Sequence, residues 1–306
     1  MGERLKVGIR IRPHLAEQSE SHKPQLHILN KDVYFKDPAT QNVDTRSFDY
    51  AFDSQDETQD KYASQAVVYD AVGPGILDNF MQGFHCSLFT YGQTGSGKTH
   101  TITGPQDNPG IVPRLVTDLF ERLEKRKQKE SDFKWEVQVS MLEVYSNERL
   151  KDLLDKNSQP IRNMRIQQDK ELGYTYVKEM TRKSVKDAHQ LLGYVNAGNA
   201  DRLVASTKLN VNSSRTHTIV QLTLSQESTL VGRKQILFSV MNLVDLAGSE
   251  RVRRTGSLSN TPEANLRLQE AVAVNQSLSN LVLCIQRLAD AGSHKTSSPG
   301  GGGGGG

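Results

Sequence analysis

Gly92-Gln93-Thr94-Gly95-Ser96-Gly97-Lys98-Thr99 follows the pattern G-x-x-x-x-G-K-[ST], that of a phosphate-binding loop. Each residue type in it has a physical reason. Glycines let the backbone wrap an anion so that successive N–H groups face phosphate oxygens. Lys98 adds a positive charge aimed at the β- and γ-phosphates, and Thr99 offers a hydroxyl to Mg²⁺. A helix starting here also turns its positive dipole end toward the anion. Immediately before it, residues 87–91 (SLFTY) read as a short buried strand. A strand feeding a glycine loop and then a helix is the context the motif requires. The plainer alternative is a chance Gly/Ser turn, which a partner motif downstream makes improbable.

That partner is Asn242-Leu243-Val244-Asp245-Leu246-Ala247-Gly248-Ser249-Glu250. The apolar run 236–244 reads as a strand ending in Asp245. An acid at the end of a buried strand beside a phosphate-binding loop holds Mg²⁺, usually through water. Gly248 can give its backbone N–H to a γ-phosphate because no side chain obstructs the approach. Taken alone, D-x-x-G could equally be a structural turn.

Asn210-Val211-Asn212-Ser213-Ser214-Arg215-Thr216-His217 gathers hydroxyls, amides and one Arg ahead of another strand. Beside the other two motifs it resembles the N-x-x-S-S-R-S-H switch of kinesin motor domains. Arg10-Ile11-Arg12-Pro13 is similar to that family's R-x-R-P element. The four motifs stand in family order, and the resemblance covers nearly all of residues 1–290. It implies an α/β fold of the P-loop NTPase class: a central, mostly buried, mixed β-sheet flanked by helices on both faces. It implies a Mg·ATPase that moves on microtubules, at the cytoplasmic cytoskeleton. By that resemblance Ser214 joins Thr99 and Asp245 around Mg²⁺, and Ser213 and Gly248 sense the γ-phosphate. Arg215 and Glu250 pair across the two switches and orient the attacking water. Arg10, Pro13 and His100 lie at the adenine. An ordinary exposed Arg–Glu pair would be worth less than about 1 kcal/mol, so the value of this one would lie in catalysis.

Composition bounds these expectations without adding to them. The chain has 306 residues and a net charge of +3, so any acidic partner is met by a local patch rather than by overall charge. Two cysteines, Cys86 and Cys284, in apolar surroundings suit a reducing compartment better than a disulfide framework. No apolar run approaches the ~18 residues of a membrane span, and nothing points to nucleic acid. Oligomeric state is left open.

Elsewhere, alternation at Leu5, Val7, Ile9 and Ile11 predicts a strand, and residues 22–38 and 48–52 read as short extended pieces. A helix from about 56–60 to Val72 is interrupted by Gly73-Pro74-Gly75 and resumes over 76–81. Residues 104–110 read as a turn-rich loop and 112–127 as a helix; Val137, Val139 and Met141 mark a strand. A short helix is expected over 147–154, a polar, strand-poor stretch over 155–183, and a helix over 185–196 ending at Gly198. Residues 263–290 read as a long amphipathic helix through Ala271, Val274, Leu278, Leu281, Ile285 and Leu288.

The expected domain is 1–291, with a Ser/Gly-rich tail over 292–306. The resemblance makes that domain C-terminally incomplete, because the family's Y-R-D-S-K-L-T-like loop and following elements have no counterpart here. Tubulin is acidic, so Arg251, Arg253 and Arg254, with Arg162 and Arg165, are the candidate footprint. Gln276 stands where many relatives carry Lys. The alternative functional reading is a non-motile, nucleotide-binding microtubule tether. A regulatory GTPase is opposed by the lack of an N-K-x-D motif after Asp245.

Overall fold

The computed structural model describes residues 5–13, 26–37, 40–145, 149–158, 161–162, 165–208, 215–230, 232–250 and 262–293. They fall into two bodies, one of residues 1–62 with 275–306 and one of 63–274.

The first body holds β1 (Gly8–Ile11), β2 (Leu26–Leu29), β3 (Asp32–Lys36), β4 (Val43–Ser47) and β5 (Tyr50–Asp53). The strand expected at 5–11 is β1, paired in parallel with β5. The antiparallel order β2-β3-β4 makes a second small sheet, whose buried anchor is Val33.

In the second body, α1 (Gln65–Met81) leads to β6 (Cys86–Thr90), α2 (Lys98–Ile102) and α3 (Ile111–Lys129). Next come β7 (Lys134–Tyr145), β8 (Arg149–Asp152), β9 (Ile161–Arg162), β10 (Ile166–Gln168), β11 (Thr175–Val177) and β12 (Lys183–Val185). The series closes with α4 (Ala188–Lys208), β13 (Thr216–Leu230) and β14 (Arg233–Asp245). Helix α5 (Pro262–Ser293) crosses from the second body into the first.

The main sheet has the order β6-β14-β13-β7-β8-β9, with β12 also on β7. It is mixed: β6 runs parallel to β14, and the other neighbours are antiparallel. Burial follows from the residue pattern. Val137, Val139 and Met141 of β7 point to one fully buried face at period two. In β14 the consecutive residues Leu243, Val244 and Asp245 are all buried, so both faces of its end are covered.

Four local expectations are corrected. Residues 149–152 of the expected helix form β8, because pairing with β7 overrides a weak apolar spacing. The supposedly strand-poor 155–183 contributes short strands β9, β10 and β11, and β12 starts at its last residue. Helix α1 continues through Gly73-Pro74-Gly75, since Gly73 leaves the space that the Tyr69 ring occupies. Helix α4 passes through Gly198 to Lys208. That glycine brings the helix against Met141 Sδ, where a Cβ would collide. In α5, Val274 and Leu278 are buried, but Leu288 is 61% exposed.

Candidate functional site

The parallel register of β6 and β14 sets Thr90 opposite Asp245, and β13 sets Thr218 opposite the same residue. Three strands therefore reach one rim of the sheet together, and the glycine loop leaves from it. Such a rim, outside the carboxyl ends of parallel strands, is where α/β sheets bind ligands. Gly95 has φ 75° and Gly97 has φ 94°, left-handed values that favour glycine. A Cβ at either would meet nothing within 4 Å. Backbone conformation, not crowding, is what demands glycine there. Gly97 is also the N-cap of α2, so the loop passes directly into Lys98 and Thr99.

Lys98 Nζ donates to the carbonyls of Gly92 at 2.9 Å and Gln93 at 3.0 Å, and Ser96 N–H donates to Gln93 O at 3.1 Å. Burial lowers the Lys98 pKa, with Asp245 and Glu250 opposing that shift. Thr99 Oγ1 donates to Asp245 Oδ2 at 2.6 Å, and Thr90 Oγ1 donates to Oδ1 at 3.1 Å. The hydroxyl and carboxylate oxygens expected for Mg²⁺ are thus adjacent. Hard oxygen donors of this kind, few in number, suit Mg²⁺, which takes its other ligands from water and phosphate.

The chain after Asp245 lies along the loop. Leu246 N–H donates to Thr90 O at 3.4 Å, and Ser249 N–H to Gly92 O at 3.1 Å. Thr94 N–H donates to Glu250 Oε2 at 2.8 Å, and the Thr94 hydroxyl donates to Glu250 Oε1. Burial pulls the Glu250 carboxyl up, but the Thr94 hydrogen bonds and Lys98 hold it, on balance, below its ordinary value. Gly248 sits beneath this contact. A Cβ there would collide with both Glu250 carboxylate oxygens and with Thr94 Oγ1.

Glu250, expected to pair with Arg215, is held here by Thr94. Thr94 offers two donors from one residue already in place. Ser213 and Ser214 lie outside the described residues. His100 is the third residue of α2, and its carbonyl accepts from Gln65 Nε2 at 2.6 Å. Arg10 and Pro13 belong to the first body. There Arg10 Nε donates to Ser54 Oγ at 2.8 Å, and burial lowers the guanidinium pKa against a smaller opposing effect of Tyr62.

Sequence reasoning missed a buried polar network behind Asp245. Arg202 of α4 lies with Nη1 3.9 Å from Asp245 Oδ2 and Nε 3.4 Å from Glu143 Oε1. Glu143 is 3% exposed. It accepts from Thr216 Oγ1 and from Tyr145 OH, each at 2.7 Å. Burial, and then the Glu143 contact, push the Tyr145 pKa up. His217 Nδ1 accepts from Ala247 N–H at 3.0 Å, which requires that nitrogen to be unprotonated. Burial lowers the His217 pKa; Asp245 opposes and Arg202 reinforces this. A signal for Glu143 was present: it continues the inward series Val137, Val139, Met141, where an acid needs a buried partner. Arg202 was hidden by ending its helix at Gly198.

The kinesin motor domain family model matches residues 10–299. The human kinesin-like protein KIF13B is 35% identical over 314 residues, covering 97% of this chain and 16% of the relative. Kinesin-like protein unc-104 of Caenorhabditis elegans is 34% identical over 304 residues, covering 96% of this chain and 18% of the relative. The chain thus spans about a sixth of the length of these curated relatives. Among solved structures, a KIF14 segment with ADP in complex with a microtubule aligns with a TM-score of 0.78 and 29% identity. That alignment covers 97% of this chain and 82% of the other. A KIF14 dimer with AMP-PNP, also in complex with a microtubule, aligns with a TM-score of 0.75 and 28% identity. It covers 92% of this chain and 76% of that one.

Proposed function

This chain belongs to the kinesin motor domain family, and we propose that it is an ATP-dependent microtubule motor domain working in the cytoplasm on the microtubule cytoskeleton. It hydrolyses Mg·ATP and couples the hydrolysis to microtubule binding and movement. The observation that carries the reading is the Thr99–Asp245 pair at the mouth of a glycine loop to which the segment after β14 is hydrogen-bonded. Loop state and switch state cannot then vary independently.

The residues divide the work. Amides of residues 92–99 and the Lys98 ammonium bind and orient the phosphates. Thr99, Asp245 and Ser214 would hold Mg²⁺, which when bound neutralises charge on the β- and γ-phosphate oxygens. Gly248 N–H and Ser213 report the terminal phosphate, and Arg215 with Glu250 orients water once the switches close. By family resemblance, Arg10, Pro13 and His100 are the candidate adenine-side residues. Arg251, Arg253 and Arg254, which lie outside the described residues with Arg162's side chain, and the exposed Arg165 form the basic footprint for acidic tubulin. No helix among the described residues is long and apolar enough to cross a membrane.

Lys98→Ala removes the phosphate-facing charge and should abolish binding of a fluorescent ATP analogue. Wild-type affinity in that variant would overturn the nucleotide assignment. Replacing Arg251, Arg253 and Arg254 together with Ala should weaken co-sedimentation with microtubules and flatten its salt dependence. Unchanged sedimentation at low salt would move the footprint elsewhere.

A further inference from the structure

Both carboxylate oxygens of Glu250 rest on a single residue of the phosphate-binding loop. Oε2 takes the Thr94 N–H at 2.8 Å, and Oε1 takes the Thr94 hydroxyl. Backbone amides are also what this kind of loop presents to phosphate oxygens. The carboxylate lies over Gly248, close enough that a Cβ at 248 would run into it. Gly248 N–H is the donor assigned above to the terminal phosphate. Lys98 attracts the same carboxylate from the loop side. One small region thus offers an amide, a hydroxyl, a cation and a bare glycine to an anion, and a side chain of the protein supplies that anion.

We propose that Glu250 is an internal stand-in for the terminal phosphate of a nucleoside triphosphate. It is a positioning residue that ties residues 246–250 to Thr94 until that phosphate displaces it. The proposal rests on the nucleotide reading above. A triphosphate must compete with the carboxylate for Thr94; a diphosphate lacks the competing group. Displacement then releases Glu250 toward other partners, so arrival of the third phosphate is what changes the segment after β14.

The test compares binding of a non-hydrolysable ATP analogue and of ADP to the full chain, with thermal melts as a check on folding. Glu250→Ala should tighten the triphosphate analogue by roughly tenfold or more, the scale of a charge-assisted hydrogen bond to a carboxylate, and change ADP affinity by less than about threefold. Glu250→Asp keeps the charge but shortens the reach to the two Thr94 donors, so it should resemble the Ala variant. It also carries the test if Glu250→Ala does not fold. An unchanged ratio of the two affinities in both variants would overturn the proposal. So would an Asp variant that behaves like wild type while Ala gains affinity, which is the signature of general charge repulsion. Failure of the wild-type chain to bind either nucleotide would remove the nucleotide reading and this proposal together.

Discussion

Two neighbouring strands of the main sheet, β6 and β14, run parallel and end at the same level, yet the segments that follow them are held in different ways. The loop after β6 supports itself. Its turns come from left-handed glycines, its lysine folds onto its own carbonyls, and it enters a helix at once. The segment after β14 leans on that loop: Leu246, Ser249 and Glu250 each find a partner in residues 90–94. A further tie reaches it from His217 of β13. The first segment is a fixed cradle, whereas the second keeps its shape only while its neighbours do. That division suits a site in which one wall binds and the other responds.

Damage to the two segments should therefore be asymmetric. The largest effect is expected from Glu250→Ala. Steady-state turnover should fall by about a hundredfold or more while ADP affinity barely moves, because an interaction used near the transition state is lost. A fall of less than about threefold would reduce Glu250 to an ordinary surface acid.

Gly248→Ala puts a methyl where the Glu250 carboxylate lies. It should lower turnover by about tenfold and again spare ADP binding, since the cradle does not depend on the segment it supports. Loss of ADP binding in this variant would break the comparison. Gly97→Ala imposes a left-handed φ on an L-residue at a cost of roughly 1–2 kcal/mol. Because this damages the supporting wall, nucleotide affinity and turnover should both fall, by about tenfold, in an equilibrium titration and a steady-state assay.

The smallest effect concerns pH. The folded state holds His217 below its ordinary value of 6.5, chiefly through burial. The unfolded chain then binds more protons than the folded one as pH falls through that value, so this contribution to stability is full above about pH 6.5 and declines below it. His217→Asn keeps an acceptor near the position of Nδ1 and cannot titrate. Denaturant melts between pH 7.5 and 5.5 should show a shallower decline for the Asn variant. Equal slopes would place the acid sensitivity elsewhere.

The cradle was legible in the sequence because its chemistry is contiguous. Eight successive residues carry the turn conformation, the cation and the hydroxyl, and one strand end carries the acid. Thr99 and Asp245 do meet, at 2.6 Å. The Thr94–Glu250 contact was not legible, since nothing in either motif says which of several donors a carboxylate will take. The Arg202–Glu143 network was hidden for another reason. It joins a helix to a strand across the fold, and Gly198 looked like a helix end although it is a point of close approach to Met141. Intrinsic propensity likewise could not distinguish the short strand β8 from a helix, because pairing with β7 decides it.

Strands β13 and β14 pair from Thr218–Asp245 at the rim to Leu230–Arg233 at the far end. One two-stranded ribbon therefore has Arg215 leading into it and Leu246 to Glu250 leading out, both at the same rim. At about 3.4 Å per residue, its thirteen paired positions set the turn ~40 Å of strand away from Asp245. Extra residues at that turn would leave the pairing intact. A single residue inserted within either strand, by contrast, would reverse the facing of every side chain on one side of the insertion. Chain length is thus tightly fixed beside the site and loosely fixed at the opposite end of the ribbon. A tag or a cut intended to spare nucleotide handling belongs at that distant turn.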